Sequence, residues 1–296
     1  MRVIRARILG FCTGVRRTVE TARRESGPQR DGQVYTLGPL IHNPVVLGSL
    51  EDRGVRVLKE GEIPPASEKS TIIIRNHGVP PRAEAELAGF GVRVIDGTCP
   101  HVKASQKKAR SFAERGYRVF LAGEENHGEI AGIRGYVEAA SPSRDGFPSC
   151  YVVSSPEEAE RAGDELSRRE PSAKTVLISQ TTISPGEYKA IGERIRRFFP
   201  ALEIVNTICG ATTERQDALR ELCGQVDAVI IAGGKESSNT RRLLSLAGDL
   251  GKPAWLVETP EDLPPEVKAY ETVGLSAGAS TPDSLIDEIE KTLKAL

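Results

Sequence analysis

The stretch Val92-Arg93-Val94-Ile95-Asp96-Gly97-Thr98-Cys99-Pro100 passes from a β-branched, strand-like run through a glycine turn to a cysteine and a proline. The same transition occurs at Cys12, after the run that begins at Val3, and at Cys209, after Leu202-Glu203-Ile204-Val205. A thiol that follows a strand and begins a helix lies at the positive end of the helix dipole, which favours the thiolate that binds metals. The sequence therefore predicts three strand–cysteine–helix transitions with related chemistry.

Length and composition set the class of protein. A chain of 296 residues with 39% hydrophobic residues is large enough for more than one globular domain. A net charge of −1 argues against duplex nucleic acid or an anionic membrane surface as a partner, and no apolar run reaches the length of a membrane span. The N-terminus resembles a strand rather than a signal peptide, and the five cysteines then indicate a reducing, cytoplasmic location.

Strand-like runs alternate with amphipathic helical runs along the whole chain, which is typical of parallel α/β structure. Laid out in order, they form an internal repeat of three sets of four strands. The predicted strands lie near 3–9, 33–38, 55–58 and 71–75, then 92–95, 117–122, 150–154 and 174–179, then 202–208, 227–232, 254–258 and 271–275. We therefore expect three similar α/β domains, related by a pseudo-threefold axis.

Polar clusters follow the second and fourth strands of each set, as the cysteine follows the first. These clusters lie at 40–43, 125–129 and 235–239, and at 75–78, 179–182 and 276–280. Ligands of parallel sheets bind beyond the carboxyl ends of the strands. Three such domains would direct the cysteines and the polar turns at one central cavity.

The cysteines divide into two groups. Cys150 opens an apolar strand and Cys223 lies in a helical pattern, so both are interpreted as small core residues. Cys12, Cys99 and Cys209 occupy equivalent turns and are candidate metal ligands. Three thiolates suit an iron–sulfur cluster with one iron open, and they also suit zinc with an open fourth position. The wide spacing does not decide between these metals.

Three of the four histidines, His42, His77 and His127, lie in the predicted strand-end turns. Their imidazoles can bind phosphate oxygens or relay protons. His101 is interpreted as part of a helix start. Glu129 follows His127 by two residues, and burial beside anions would raise its pKa to that of a general acid.

A candidate anion site lies in Lys235-Glu236-Ser237-Ser238-Asn239-Thr240, which precedes a helical run. Its hydroxyls, amide and backbone N–H groups suit a phosphate, and Ser280 repeats the arrangement in the last strand–helix turn. The chain contains neither a Walker-type run nor a dinucleotide fingerprint, so its sequence does not support binding of ATP or nicotinamide.

Eight stretches together resemble the 4-hydroxy-3-methylbut-2-enyl diphosphate reductases (LytB/IspH). These are Gly10-Phe11-Cys12-Thr13-Gly14-Val15, Leu37-Gly38-Pro39-Leu40-Ile41-His42-Asn43, Asn76-His77-Gly78-Val79, Asp96-Gly97-Thr98-Cys99-Pro100, Ser179-Gln180-Thr181-Thr182, Cys209-Gly210-Ala211-Thr212-Thr213, Ser237-Ser238-Asn239 and Ala277-Gly278-Ala279-Ser280. They span the chain in the order of that family. One departure is His127-Gly128-Glu129, where the family often has proline in the middle position.

The resemblance implies a trefoil of three α/β domains around a central cavity with a [4Fe–4S] cluster, held by Cys12, Cys99 and Cys209. It implies domains at 13–98, 99–208 and 209–296, with the strand in 1–12 packed on the last. It further implies that the remaining iron of the cluster would bind the substrate hydroxyl.

The resemblance further implies a reductive dehydroxylation that yields isopentenyl and dimethylallyl diphosphate, the last step of the methylerythritol phosphate route. Reduced ferredoxin or flavodoxin supplies the electrons. Glu129 supplies protons, and Thr181 and His127 contact the substrate and assist. The residues implied to hold the diphosphate are His42, His77, Ser237, Ser238, Asn239 and Ser280. Two rivals remain, a Cys₃–zinc hydrolase of a phosphorylated metabolite and a non-catalytic anion-binding protein.

Overall fold

The computed structural model describes residues 1–27, 32–59, 62, 70–89, 91–142 and 147–296. Within these ranges, strands and helices alternate as the sequence predicts. The strands are β1 (Arg2–Arg5), β2 (Val34–Leu37), β3 (Val55–Leu58), β4 (Thr71–Ile74), β5 (Arg93–Asp96), β6 (Arg118–Ala122), β7 (Cys150–Val153), β8 (Thr175–Ser179), β9 (Glu203–Val205), β10 (Ala228–Ala232), β11 (Ala254–Val257) and β12 (Thr272–Ala277). All twelve predicted strands are therefore confirmed.

Ten α-helices connect these strands within the described ranges. They are α1 (Thr13–Glu25), α2 (Pro44–Glu51), α3 (Pro81–Gly89), α4 (Pro100–Glu114), α5 (Gly128–Ala140), α6 (Pro156–Arg169), α7 (Pro185–Arg196), α8 (Gly210–Cys223), α9 (Ser238–Asp249) and α10 (Asp283–Ala295), with short 3₁₀ turns at Pro260–Asp262 and Pro265–Ala269. No helix in the described part of the chain is both long and apolar enough to cross a membrane.

The strands form three parallel sheets of four, with one topology repeated three times. The orders are β3-β2-β4-β5, β7-β6-β8-β9 and β11-β10-β12-β1. In the predicted repeat, the strand before each cysteine opens a set of four strands. In the structure this strand pairs instead with the fourth strand of another set, as β9 does with β8 and β1 does with β12. The expected α/β class with three similar sheets is confirmed.

Apolar clusters cover both faces of the second and third sheets, as expected for parallel sheets between helices. Two strands are shorter than their apolar runs. β1 pairs with β12 only to Arg5, and Ile8 and Leu9 leave the sheet to pack against these cores. After β9, the Thr207 hydroxyl continues the pairing, because it bonds the backbone N–H and C=O of Ser179.

The residues group into two compact units, Met1–Asn76 with Gly210–Leu296 and His77–Cys209.

Candidate active site

Every candidate site residue lies in or directly after a turn between a strand and the next helix. The turns are β1–α1 (Cys12), β2–α2 (His42), β4–α3 (His77), β5–α4 (Cys99), β6–α5 (His127 and Glu129), β8–α7 (Thr181), β9–α8 (Cys209), β10–α9 (Ser237, Ser238 and Asn239) and β12–α10 (Ser280). This placement after the carboxyl ends of strands confirms the positional prediction. The functional roles of the residues are a separate question.

In the His77–Cys209 unit, the side chain of Glu129 is held by Thr181. The backbone N–H of Thr181 donates to Glu129 Oε1 at 2.7 Å, and its hydroxyl donates to Oε2 at 2.8 Å. Glu129 is the second residue of α5 and is only 1% exposed. Both carboxyl oxygens therefore have a fixed partner in a site screened from water.

Burial raises the pKa of Glu129 to about 7, because a carboxylate loses its hydration there, and the two hydrogen bonds from Thr181 only partly offset this rise. A carboxyl group with this pKa exchanges its proton near neutral pH. It therefore has the property that a general acid requires.

His127 caps the helix that carries Glu129. Its Nδ1 accepts a hydrogen bond from the backbone N–H of Glu129 at 3.2 Å, so the hydrogen of the neutral ring lies on Nε2. The ring packs edge-on against His77, with the ring centroids 4.9 Å apart. His77, His127 and Glu129 thus form one group at the start of α5.

Thr181 also contacts the segment that carries a candidate metal ligand. Its carbonyl accepts a hydrogen bond from the backbone N–H of Cys209 at 2.9 Å. The other cysteine of this unit, Cys99, is buried and immediately precedes α4. Thr181 therefore contacts both the carboxyl group of Glu129, the candidate acid, and the backbone of Cys209, a candidate metal ligand.

In the unit formed by Met1–Asn76 and Gly210–Leu296, Cys12 is the N-cap of α1. Its Sγ accepts a hydrogen bond from the backbone N–H of Val15 at 3.4 Å. Its own N–H donates to the Ala279 carbonyl at 3.1 Å, next to Ser280. The Cys12 sulfur is thus at the N-terminal end of α1, where it accepts one of the free backbone N–H groups of the helix.

His42 and Ser280, both candidate diphosphate ligands, are brought together in the same unit. The Ser280 hydroxyl donates to the His42 carbonyl at 3.2 Å. Gly234 lies against the same carbonyl, since a Cβ at that position would be 2.3 Å from the oxygen. Only glycine permits this approach, which places the turn after β10 beside the His42 turn.

Ser237, Ser238 and Asn239 begin α9 and are all buried. The Ser237 hydroxyl caps the helix by accepting from the backbone N–H of Thr240 at 3.4 Å. The Asn239 Nδ2 is buried and has no hydrogen-bond partner among the residues that the structure describes. A buried donor of this kind at a helix N-terminus is suited to an anionic ligand.

Two residues of the site turns were missed by the sequence interpretation. Gln180 is fully buried, and its Oε1 accepts from the backbone N–H of Glu124 at 3.0 Å, which fixes the turn before His127. Gly234 was quoted in no motif. The signal for Gln180 was its place in the Ser179–Thr182 stretch, whereas nothing local distinguishes Gly234.

Cys12, Cys99 and Cys209 are suited to hold a metal centre. None of the five cysteines forms a disulfide. Each of these three directly precedes a helix, and such thiolates are ligands of iron–sulfur clusters and of zinc. Cys150 and Cys223 are buried in apolar surroundings that raise the pKa of each thiol, to about 12 for Cys150, in agreement with a structural role.

Comparison with known proteins decides the family. A family model described as LytB protein matches residues 3–294. The chain belongs to the LytB family. Among curated LytB-like relatives, the 4-hydroxy-3-methylbut-2-enyl diphosphate reductase of Treponema denticola is 44% identical and aligns over 99% of both chains. The protein of the same name from Aquifex aeolicus is 38% identical, with 99% of this chain and 96% of that protein aligned.

Solved structures agree with this membership. A structure of the E-1-hydroxy-2-methyl-but-2-enyl-4-diphosphate reductase from Plasmodium falciparum has a TM-score of 0.87 at 26% identity, covering 98% of this chain and 87% of that one. A second, titled (E)-4-hydroxy-3-methyl-but-2-enyl diphosphate reductase, the terminal enzyme of the non-mevalonate pathway, has a TM-score of 0.68 at 37% identity, covering all of both chains. None of these names describes a zinc hydrolase, so that alternative is not favoured.

Proposed function

We propose that this LytB chain is a 4-hydroxy-3-methylbut-2-enyl diphosphate reductase. It removes the hydroxyl group of the allylic diphosphate by reduction and forms isopentenyl and dimethylallyl diphosphate, at the end of the methylerythritol phosphate route. The observation that carries the proposal is the buried Glu129, with a pKa of about 7 and both oxygens held by Thr181. An acid of this kind is needed to convert a departing hydroxyl group into water.

Cys12, Cys99 and Cys209 are proposed to hold a [4Fe–4S] cluster. A cluster held there would supply electrons for the reduction and a Lewis-acidic iron. The three cysteines support this assignment because thiolates are the usual ligands of iron–sulfur clusters and each of these residues directly precedes a helix.

The diphosphate is proposed to bind at the start of α9 and at Ser280. The unpartnered Asn239 Nδ2 and the N-terminal N–H groups of α9 supply donors, and the dipole of α9 favours the negative charge. His42 and His77 complete the proposed set.

The hydrogen bonds of Glu129 support one route for the proton. Oε1 accepts from the Thr181 N–H, which can only donate, so this arrangement favours the acidic hydrogen on Oε2. Oε2 faces the Thr181 hydroxyl, which can accept that hydrogen and turn its own toward a ligand. We therefore propose that Glu129 delivers its proton through Thr181, while the Nε2–H of His127 donates a hydrogen bond to the same ligand.

The remaining proposals concern context. Reduced ferredoxin or flavodoxin is proposed as the electron donor, in the cytoplasm. The division into domains at 13–98, 99–208 and 209–296, with 1–12 on the last, is proposed from the thrice-repeated sheet topology.

The test is anaerobic purification followed by iron and sulfide analysis, a visible spectrum and an assay with the allylic diphosphate and a strong reductant. We expect a brown protein with iron and sulfide that releases both products. A colourless, zinc-containing protein would favour the hydrolase. A protein that releases no product in this assay would favour the anion-binding rival, whose cysteines are structural.

A further inference from the structure

Arg215 is a buried cation whose role the proposed reaction does not explain. It lies in the second turn of α8 and is only 4% exposed. Burying a guanidinium costs several kcal/mol of solvation unless other groups compensate, and a cation near a helix N-terminus opposes the dipole. A residue at this position therefore needs interactions strong enough to offset both effects.

These interactions include hydrogen bonds to two backbone carbonyls. Arg215 Nε and Nη2 both donate to the Gly10 carbonyl, at 3.2 Å and 2.6 Å, and Nη1 donates to the Ala211 carbonyl at 2.7 Å. One planar fork thus joins two segments that are separated by about 200 positions in the sequence.

Both carbonyls belong to segments that carry a proposed metal ligand. Gly10 precedes Cys12 by two residues, and Ala211 follows Cys209 by two residues. The guanidinium of Arg215 therefore binds the backbone two residues before Cys12 and two residues after Cys209.

The Gly10 segment is held on its other side as well. The N–H of Gly10 donates to the Ala277 carbonyl at 3.3 Å, and that of Cys12 donates to the Ala279 carbonyl at 3.1 Å. Gly10 has a φ of +76°, and a Cβ there would lie 2.8 Å from Ile286 Cδ1. The backbone between Gly10 and Cys12 is therefore hydrogen-bonded on one side to the end of β12 and the turn that follows it, and on the other side to Arg215.

We propose that Arg215 is a positioning residue that holds the Cys12 and Cys209 segments in the arrangement that retains the metal centre. This inference rests on the proposed iron–sulfur function. Groups that orient metal ligands without touching the metal commonly change metal affinity by about tenfold to a hundredfold when they are removed.

The chain offers a matched set of variants. Arg215→Gln removes the charge and most of the fork, whereas Arg215→Lys keeps the charge but cannot bond both carbonyls in the same geometry. The control is Arg220→Gln on the same helix, because Arg220 is exposed and its side chain bonds the neighbouring, exposed Asp217.

The experiment follows iron loss from the anaerobically purified holoprotein. A ferrous chelator is added well below the melting temperature, the visible absorbance is recorded, and circular dichroism follows the fold in parallel. We expect Arg215→Gln to lose its absorbance about tenfold faster than the wild type and Arg220→Gln, while its circular dichroism stays unchanged. Arg215→Lys should fall between them, and the electron paramagnetic resonance line shape of the reduced protein should change in both Arg215 variants.

Loss at the wild-type rate in Arg215→Gln, or loss only in step with unfolding, would overturn the inference. If Arg215→Gln does not fold, Arg215→Lys decides, and a wild-type rate in that variant rejects the proposal. A wild-type protein without iron and sulfide would instead reject the proposed function itself, so the two failures are distinguishable.

Discussion

Thr181 donates both its backbone N–H and its hydroxyl group to the two carboxyl oxygens of Glu129, at 2.7 Å and 2.8 Å. The acid is thus positioned by a residue 52 positions away as well as by its own turn. We expect Glu129→Gln, which preserves shape but holds no acidic proton, to lower kcat by about 10²–10⁴-fold with little change in iron content. Steady-state kinetics and iron analysis test this.

The control for that prediction is Glu125→Gln in the same turn, because Glu125 is exposed and bonds Arg134. It should retain wild-type turnover. Normal turnover in Glu129→Gln would remove Glu129 as the proton donor.

The pH dependence of kcat/KM, which reflects the free enzyme, should report the pKa of Glu129, which burial raises to about 7. The protonated form is the active acid, so kcat/KM should be constant below this pH and fall with increasing pH above it, by about tenfold per unit. Assays between pH 6 and 9 at substrate concentrations well below KM test the direction. A rate that rises across this range would contradict the assignment.

Thr181→Val and Thr181→Ser test the effect of the Thr181 hydroxyl group on Glu129, because valine keeps the shape of threonine without the hydroxyl and serine keeps the hydroxyl. The hydroxyl's hydrogen bond lowers the pKa of Glu129, so its removal in the valine variant should raise that pKa. A lost hydrogen bond to a charged group is worth about 1.5 kcal/mol or more. The pH above which the rate begins to fall should therefore increase by about one unit. Serine keeps the hydroxyl and should restore the wild-type profile. An unshifted pH profile with valine would mean that the hydroxyl does not act on this carboxyl group.

Replacing each proposed ligand should affect the metal specifically. Cys12→Ser, Cys99→Ser and Cys209→Ser should each lower iron content and turnover, because serine is a poor ligand for an iron–sulfur cluster. Cys223→Ser places a hydroxyl in the apolar core at a cost of about 1–3 kcal/mol of stability, but should leave iron content unchanged. Equal iron loss in all four variants, measured after anaerobic purification, would undo the assignment.

Gly234→Ala tests the contact between the turn after β10 and His42. The added methyl group would lie 2.3 Å from the His42 carbonyl oxygen, so one of the two turns must move. We expect a higher KM and a loss of stability of about 1–3 kcal/mol. Gly48→Ala in α2 meets no atom within 4 Å and should raise stability by about 0.5–1 kcal/mol with an unchanged KM. A wild-type KM in Gly234→Ala would show that the contact is unimportant for binding.

The strands were predictable because their sequence signal is local. β10 is buried along its whole length and is a continuous apolar run, as expected for the inside of a parallel sheet. The boundaries were less certain where apolar residues serve packing rather than pairing. Ile8 and Leu9 extended the predicted first strand to residue 9, although the paired strand ends at Arg5.

The contacts within the site were not predictable, because each joins residues far apart in sequence. The Ser280–His42 bond spans 238 positions, and the Arg215–Gly10 bond spans 205. A sequence pattern identifies the turns that carry these residues but not their partners. One signal was available for Arg215, since it lies on the buried stripe of α8 with Thr212, Gln216 and Leu219, where a cation is unexpected.

The hydroxyl group of Ser280 has a single hydrogen, and in this structure the His42 carbonyl accepts it. The oxygens of an ionised diphosphate can only accept hydrogen bonds, so a diphosphate bound at Ser280, as proposed, would compete with the protein's own backbone for that hydrogen. Binding at this serine would then exchange one acceptor for another, and its enthalpy would be the difference between two hydrogen bonds rather than the strength of one. The same exchange would release the His42 turn from its hydrogen bond to Ser280.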